Sequence, residues 1–262
     1  MKKILILLMI LSSSAWSEEA SKSTEQAKPA VAKDQSKQEP KWTGKAELGF
    51  VTTSGNTETS ANNGRLVVTY EAEKWKERAS LEFFQAESVI LDENNNRITQ
   101  ETADRTYFFS KTDYKFNKKS FAFMLIDYAD ENFTDKDYIA NFSLGYGHTF
   151  VKDDEEEFNV ELGLGSRRFQ FQNQERTEIE AVYRLAAHYF IKVSESAQFT
   201  QDVSAEFGEL FDIYKTNTAL NLKVNTSMQV SIGYQTQHTS NVQPGILRND
   251  SQTTVNLVYN FL

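Results

Sequence analysis

The most constraining feature of this sequence is an alternation of apolar and polar residues that repeats through most of its length. Between residues 138 and 150 almost every second side chain is apolar, and the same pattern returns between residues 179 and 191. Successive side chains of a β-strand point to opposite faces, so a period of two predicts strands with one apolar and one polar face. The fold class that follows is all-β.

Turn-forming residues divide the region from Lys41 to Leu262 into about twelve predicted strands. Their expected bounds are 41–52, 58–71, 76–89, 101–113, 120–131, 137–150, 157–169, 176–190, 196–207, 211–223, 226–239 and 251–262. Turn signals in a soluble sandwich recur every 8–12 residues or so. A transmembrane strand needs about 9–11 tilted residues and ends that extend beyond the lipid. The longer spacing here predicts an antiparallel transmembrane β-barrel of about 12 strands.

The polar face of these strands is strongly charged, which a lipid-facing surface does not tolerate. We therefore expect the apolar stripe to face lipid and the charged stripe to face the lumen, and closure to satisfy every backbone group. The candidate pore-lining residues are Lys45, Glu47, Arg65, Arg78, Glu82, Glu161, Arg167, Glu180, Arg184, Asp202, Glu206, Lys215 and Lys223.

Aromatic residues concentrate near the predicted strand ends, a distribution typical of the two interface girdles of a membrane barrel. The girdle candidates are Trp42, Tyr70, Trp75, Tyr107, Phe121, Tyr138, Phe150, Tyr189, Phe207, Tyr214, Tyr234 and Tyr259.

The N-terminal region has a different composition from the barrel. Residues 1–17 combine Lys2 and Lys3 with an apolar run from Ile4 to Leu11 and small residues before position 18, which predicts a cleaved signal peptide. Residues 18–40 are rich in Glu, Ala, Ser, Lys and Gln and show no periodicity, which predicts a disordered periplasmic linker. Residues 41–262 form the barrel domain.

Composition excludes several classes of protein. The chain has no Cys, which excludes disulfides, thiolate metal sites and Cys nucleophiles. Its net charge of -9 argues against binding to nucleic acid, which needs a clustered basic excess. A mean hydropathy of -0.54 excludes a bundle of membrane helices. The spacing of its three His residues matches no metal motif, and we expect no cofactor and no metal.

The last predicted strand carries an alternating stripe that ends in aromatic residues. Tyr259 and Phe261 are candidate parts of the C-terminal signal that the barrel-assembly machinery reads in outer-membrane barrels, although Leu262 follows the final aromatic. The alternative is an ordinary amphipathic final strand.

The opening of the predicted barrel resembles the signature of one family. The residues are Trp42 to Phe50 (WTGKAELGF) and the run Thr53, Ser54, Gly55, Asn56 and Thr57, with weaker similarity at 145–147 and 250–261. The family is the salt-induced outer membrane protein family of Gram-negative bacteria, a domain of unknown function. The resemblance covers about residues 41–262. It implies a secreted outer-membrane barrel and carries over no catalytic or binding residue.

The motif run itself has a simple physical interpretation. Gly55 and Asn56 both tolerate positive φ, as a primed hairpin turn requires. A turn that sets strand register is one interpretation of this run, and a ligand or assembly motif is the other.

An even number of strands places both termini on one side, which we expect to be the periplasm. The expected partners are outer-membrane lipid and lipopolysaccharide, with periplasmic chaperones and the barrel-assembly machinery during biogenesis. The acidic residues Asp127, Asp130, Glu131, Asp135 and Asp137 suggest either a divalent-cation site at the lipopolysaccharide surface or a solvated loop.

Three functions remain open at this stage. The first is a narrow channel for ions or small solutes, linked to salt or envelope stress only by the family resemblance. The second is a closed barrel that stabilises the envelope. The third is a lipid-modifying enzyme, which would need a paired Ser and His; of His148, His188 and His238, the last has Thr239, Ser240 and Asn241 beside it.

Overall fold

A computed structural model describes residues 39–53, 58–91, 96–132, 134–172, 174 and 176–262. This part of the chain forms twelve antiparallel strands in one closed barrel, with each strand paired to its sequence neighbours and β1 paired to β12. The strands are β1 (Lys41–Thr53), β2 (Glu58–Glu71), β3 (Trp75–Leu91), β4 (Arg97–Lys115), β5 (Ser120–Glu131), β6 (Lys136–Lys152), β7 (Glu156–Phe171), β8 (Thr177–Lys192), β9 (Ala197–Phe207), β10 (Ile213–Lys223), β11 (Met228–Thr239) and β12 (Asn249–Asn260).

The predicted all-β class, the strand number and the antiparallel barrel are confirmed. Every strand bound lies within four residues of its predicted position. The described part of the chain has no helix that is both long and apolar enough to cross a membrane. The predicted signal peptide lies outside the described residues, as does the predicted linker apart from Glu39 and Pro40.

The two ends of the barrel differ in their connections. We call the end where β1 begins and β12 finishes the terminal end; its turns, at 72–74, 116–119, 153–155, 193–196 and 224–227, are short. Asn117, Asp153 and Asn225 each lie at the first or second position of one of these turns. Each side-chain oxygen accepts hydrogen bonds of 2.8–3.0 Å from backbone amides two and three residues further along the chain. Asn and Asp favour turns for this reason. The opposite end carries the β9–β10 connection, 208–212, and the β11–β12 connection, 240–248.

The outer surface of the barrel is apolar, which inverts the usual pattern of a soluble protein. Large apolar side chains such as Leu48, Leu164 and Ile179 are more than 60% exposed on the outward face. Arg167 and Glu161, by contrast, are buried inside. An apolar belt on this scale needs apolar surroundings, and a closed barrel leaves no unpaired strand edge in them.

Aromatic rings follow the outer rim at both ends, as predicted, with two exceptions. At the terminal end Trp42 packs on Tyr70, with ring centroids 4.8 Å apart; at the opposite end Phe207 packs on Tyr214, at 5.8 Å. The assignment of Tyr107 and Phe121 to the girdles is wrong, because strand register turns both residues inward. Position near a strand end does not by itself decide which face a residue occupies.

The interior of β5 is aromatic and packs against glycines on the next two strands. The Phe121 ring occupies the space above Gly147, and the Phe123 ring lies between Gly145 and Gly163. A Cβ on Gly145 would lie 2.5 Å from the Phe123 ring and 2.2 Å from the Leu162 carbonyl oxygen. The glycines therefore make room for a patch of rings inside one wall.

The seam where the barrel closes is short. β1 pairs with β12 only from Lys45 to Leu48, whereas its pairing with β2 runs its full length. Beyond that point, Asn63 Nδ2 donates a 2.9 Å hydrogen bond to Asn256 Oδ1, which joins β2 to β12 across β1. Gly49 lies beneath this bridge, and a Cβ there would meet both amide oxygens.

Candidate functional site

The barrel encloses a cavity of about 310 Å³, which we call the lumen cavity. Its lining extends from the terminal-end turn at Asn117 and Lys118 to Glu131 on β5 and Gln237 on β11. A second cavity of about 230 Å³, the mouth cavity, lies beside the 240–248 connection at the opposite end. The two cavities share Glu131, Ile139 and Gln237 in their linings, so they meet at these side chains.

The lining of the lumen cavity is charged and carries more cations than anions. Eleven basic side chains line it: Arg65, Lys76, Arg78, Arg105, Lys111, Lys115, Lys118, Lys119, Lys152, Arg184 and Lys215. Seven acidic side chains line it: Glu82, Asp113, Asp127, Glu131, Glu157, Glu161 and Asp202.

Many of these charges neutralise one another along the wall. Arg65 Nε lies 3.0 Å from Glu82 on the adjacent strand. Lys111 Nζ contacts both Asp113, at 2.9 Å, and Glu161 on β7. The same ammonium lies 5.0 Å from the centroid of the Phe121 ring. Opposite charges paired in this way largely cancel each other's field, so they attract a charged solute less than unpaired charges do.

Some side chains reach across the lumen and narrow it. Arg105 on β4 donates a 3.0 Å hydrogen bond to Gln252 on β12 and lies 3.7 Å from Glu131. Lys215 on β10 extends to the Tyr107 ring on β4, with 5.4 Å between the ammonium and the ring centroid. These contacts join strands on different sides of the lumen and occupy part of its cross-section.

The opposite end is partly closed by the β9–β10 connection, which folds into the barrel around Arg167. The Arg167 guanidinium is fully buried and bonds to Glu180 and Glu206, each at 3.0 Å, and to the Phe211 carbonyl oxygen at 2.8 Å. Glu180 also accepts a 2.7 Å hydrogen bond from the Leu210 amide. This cluster, which we call the Arg167 lock, holds the connection inside the barrel.

A smaller apolar and ionic group continues the lock. Phe211 is 3% exposed and packs against Phe169, with ring centroids 4.9 Å apart. The buried Lys136 ammonium lies 4.3 Å from the Phe211 ring centroid and 2.6 Å from Asp135. Asp135 also accepts a 3.0 Å hydrogen bond from the Gln243 amide in the 240–248 connection. Both long connections are therefore fixed to the barrel wall.

The candidate pore-lining residues divide into three groups in the structure. Seven of them line the lumen cavity: Arg65, Arg78, Glu82, Glu161, Arg184, Asp202 and Lys215. Arg167, Glu180 and Glu206 form the Arg167 lock. Lys45, Glu47 and Lys223 lie at inward register positions outside the cavity lining, Lys223 at the terminal end of β10.

The acidic residues singled out in the sequence do not assemble. Asp127 faces the lumen and accepts a 3.0 Å hydrogen bond from Asn141. Glu131 pairs with Arg105, and Asp135 pairs with Lys136. Among the described residues no group of three or more His, Asp or Glu side chains is arranged to hold a metal ion.

The three histidines lie in three separate places. His238 contacts Asn249 at 2.6 Å, while Ser240 accepts a hydrogen bond from the Asp212 amide, so this His and Ser do not pair. His188 lies in the lumen, 2.6 Å from Asp202. His148 lies 3.4 Å from Ser120, but the Tyr146 hydroxyl also donates to that Ser, and no carboxylate in the described structure contacts the ring.

The remaining sequence candidates lie at the seam and in one turn. Tyr259 is 52% exposed on the outer face. The Phe261 ring covers Gly44, and the Phe261 amide donates a 3.0 Å hydrogen bond to the Gly44 carbonyl oxygen. The predicted primed turn at Ser54, Gly55, Asn56 and Thr57 lies outside the described residues, and of Thr53 only the backbone pairing is described.

Several residues of the interior were absent from the sequence-based candidates. Lys76, Arg105 and Lys111 fall on the inward stripes of β3 and β4, and the alternation of these strands contains that signal. Phe211 follows Gly208, Glu209 and Leu210 in a connection whose composition gives no sign that it folds inward.

Comparison with solved structures places the fold among outer-membrane barrels. The NanC porin is 10% identical, with a TM-score of 0.52 over 84% of this chain and 100% of that chain. An outer membrane channel from Pseudomonas putida F1 is 11% identical, with a TM-score of 0.49 over 88% and 100%. The translocator domain of the autotransporter NalP from Neisseria meningitidis is 12% identical, with a TM-score of 0.45 over 87% and 90%.

No curated protein matches the chain. A model of one family, described as "Protein of unknown function, DUF481", matches residues 46–261, which is nearly the whole barrel. The chain has a closed β-barrel fold similar to that of the NanC porin, and it belongs to the DUF481 family.

Proposed function

We propose that this protein is a narrow outer-membrane channel for ions or small solutes. The observation that carries the proposal is the pair of cavities that meet at Glu131, Ile139 and Gln237. Together their linings extend from the terminal-end turn at Lys118 to Leu247 in the 240–248 connection. A polar path of this kind through a barrel of intermediate strand number supports conduction of small species.

Arg105 lies beside the junction of the two cavities, where it contacts Glu131 and Gln252. We expect the proposed channel to be narrowest there. A single long side chain that spans a lumen limits both the size of a solute and the current. Arg105 is therefore the residue whose removal is expected to widen the path most.

Single-channel recording of the refolded full chain in a planar bilayer tests this proposal. We expect steady unitary steps from the wild-type protein and larger steps from Arg105→Ala. Arg97→Ala is the matched control, because Arg97 pairs with Glu58 at the end of the barrel and its side chain is 59% exposed. Silence from folded wild-type protein and from folded Arg105→Ala would contradict the proposal.

A closed barrel that stabilises the envelope is the second candidate. The observations that favour it are the contact of Lys215 with Tyr107 across the lumen and the inward position of Phe211. Deletion of the gene would then weaken the envelope, and expression of a folded variant with a blocked lumen in the deletion strain would restore the envelope. Under the channel proposal, expression of the same variant does not restore the wild-type phenotype.

Placement in the cell is part of the same proposal. We infer secretion through residues 1–17, assembly aided by periplasmic chaperones and the barrel-assembly machinery, and contact with lipopolysaccharide at the opposite end. The link to salt or envelope stress rests on the family resemblance alone. Transcript levels that stay constant across osmolarities would remove that link.

A further inference from the structure

The charge of the lumen cavity is opposite in sign to the charge of the chain. The chain carries a net charge of -9, but the cavity lining has four more basic than acidic side chains. Glu71 and Glu206, which lie outside the lining, offset part of this excess through ion pairs with Lys115 and Arg184. The remainder comes from cations that form no ion pair with any described residue.

Five lining cations form no ion pair within 4 Å of any acidic side chain in the described structure. They are Lys76, Arg78, Lys118, Lys119 and Lys215. Three lining carboxylates are engaged with other groups: Glu82 with Arg65, Asp202 with His188 and Asp127 with Asn141. Lys215 contacts the Tyr107 ring, and it and the other four cations can still form an ion pair with an anionic solute.

Arg78 and Lys215 line the lumen cavity from different walls. Arg78 lies on β3 and Lys215 on β10, five strands away around the barrel. Because both side chains line one cavity, a small solute inside it meets a cation from each wall.

The other three cations lie towards the terminal end. Lys76 is two residues from Arg78 on the same face of β3. Lys118 and Lys119 belong to the β4–β5 turn and also line the cavity. A cleft lined by charge of one sign focuses the field and raises the local concentration of oppositely charged solutes. The acidic side chains that line this end, Asp113 and Glu157, are paired with Lys111 and Lys152. The three unpaired cations therefore form a vestibule of net positive charge, which attracts anions towards Arg78.

We propose that the lumen cavity binds a small oxyanion, which Arg78 and Lys215 hold and which enters past Lys76, Lys118 and Lys119. A planar guanidinium matches the oxygens of a phosphate or carboxylate group, and a lysine ammonium adds a point charge. This inference adds a class of solute to the proposed channel. It rests on the proposed function only where it treats the bound oxyanion as a solute that permeates the channel.

Equilibrium dialysis of the refolded full chain against labelled inorganic phosphate, in zwitterionic micelles at low ionic strength, tests the binding. We expect saturable binding of phosphate and none of rubidium ion. Loss of one charge-assisted contact predicts a rise in Kd of about tenfold or more in Arg78→Gln and in Lys215→Gln. Lys223→Gln is the matched control, since Lys223 lies on the same face of β10 outside the cavity; its Kd stays unchanged.

The outcomes of these measurements test the oxyanion site and the channel separately. Arg78→Lys keeps the charge and is expected to keep most of the binding, which provides a second variant if Arg78→Gln fails to fold. Absence of saturable binding to folded wild-type protein, or an equal loss in Lys223→Gln, overturns the oxyanion site. Reversal potentials in a salt gradient separate the two proposals. Phosphate binding without current contradicts the channel alone, and a cation-selective current without phosphate binding contradicts the oxyanion site alone.

Discussion

At the scale of single residues, glycine positions decide how the interior packs. Gly145 is in close contact with two neighbours, the Phe123 ring and the backbone of the adjacent strand. Gly233 occupies an inward position on β11, and its nearest neighbour is the movable Thr254 hydroxyl, 2.7 Å from an added Cβ. The same substitution at these two sites should therefore have different costs.

We expect Gly145→Ala to lower the free energy of unfolding by about 1–3 kcal/mol, the usual cost of adding a methyl group to a packed site. Gly233→Ala, the control, should cost much less because the Thr254 side chain can rotate away. Denaturant titration of both refolded variants measures the difference. The folded fraction is read from the electrophoretic mobility of the unheated protein, which differs from that of the heat-denatured protein. Equal stability of the two variants would show that Phe123 and the strand backbone can move apart.

At the scale of elements, the 208–212 connection depends on one buried cation. Arg167 compensates two carboxylates, Glu180 and Glu206, and also bonds the Phe211 carbonyl oxygen. Removing one member of a buried ionic group leaves the remaining charges uncompensated. The position of Phe211 inside the barrel therefore depends on a residue 44 positions away in sequence.

We expect Arg167→Gln to destabilise the barrel by about 3–5 kcal/mol, the range for breaking a buried ion pair, and to release the 208–212 connection. Cleavage at Glu209 by a Glu-specific protease should then become fast. Arg168→Gln is the control, because Arg168 is the next residue on β7 and is exposed on the outer face. Cleavage as slow in Arg167→Gln as in wild-type protein would indicate another anchor for the connection.

For the complete barrel, orientation in the membrane determines which end faces the periplasm and which faces the cell exterior. The terminal end carries the unpaired Lys118 and Lys119, while the 240–248 connection closes over the mouth cavity at the other end. If the termini face the periplasm, the cationic vestibule does so too. An oxyanion would then be concentrated on the periplasmic side.

The absence of native Cys makes this orientation directly measurable. We expect a single Cys at Ile246→Cys to react with a membrane-impermeant maleimide on intact cells, and Lys118→Cys to react only after the outer membrane is permeabilised. The reverse pattern would place both termini outside and would move the vestibule to the cell surface.

The barrel could be predicted from the alternation and the turn residues alone. The alternation fixes which face of each strand is polar, because side chains on a strand alternate strictly, and the turn residues fix where strands end to within a few positions. That is enough to place Arg65, Arg78 and Lys215 on inward faces.

Which inward charges meet depends on the closure of the sheet and could not be predicted from the sequence. Closure of the sheet brings β4 opposite β10 and β12, so Lys215 reaches Tyr107 and Arg105 reaches Gln252 across the lumen. The stagger of the strands brings Arg167 beneath Phe211, and register turns Phe121 inward onto Gly147. These distances depend on how twelve strands are offset around a ring. Local periodicity gives the face of each residue but carries no information about its height in the barrel, and height decides which cations remain unpaired.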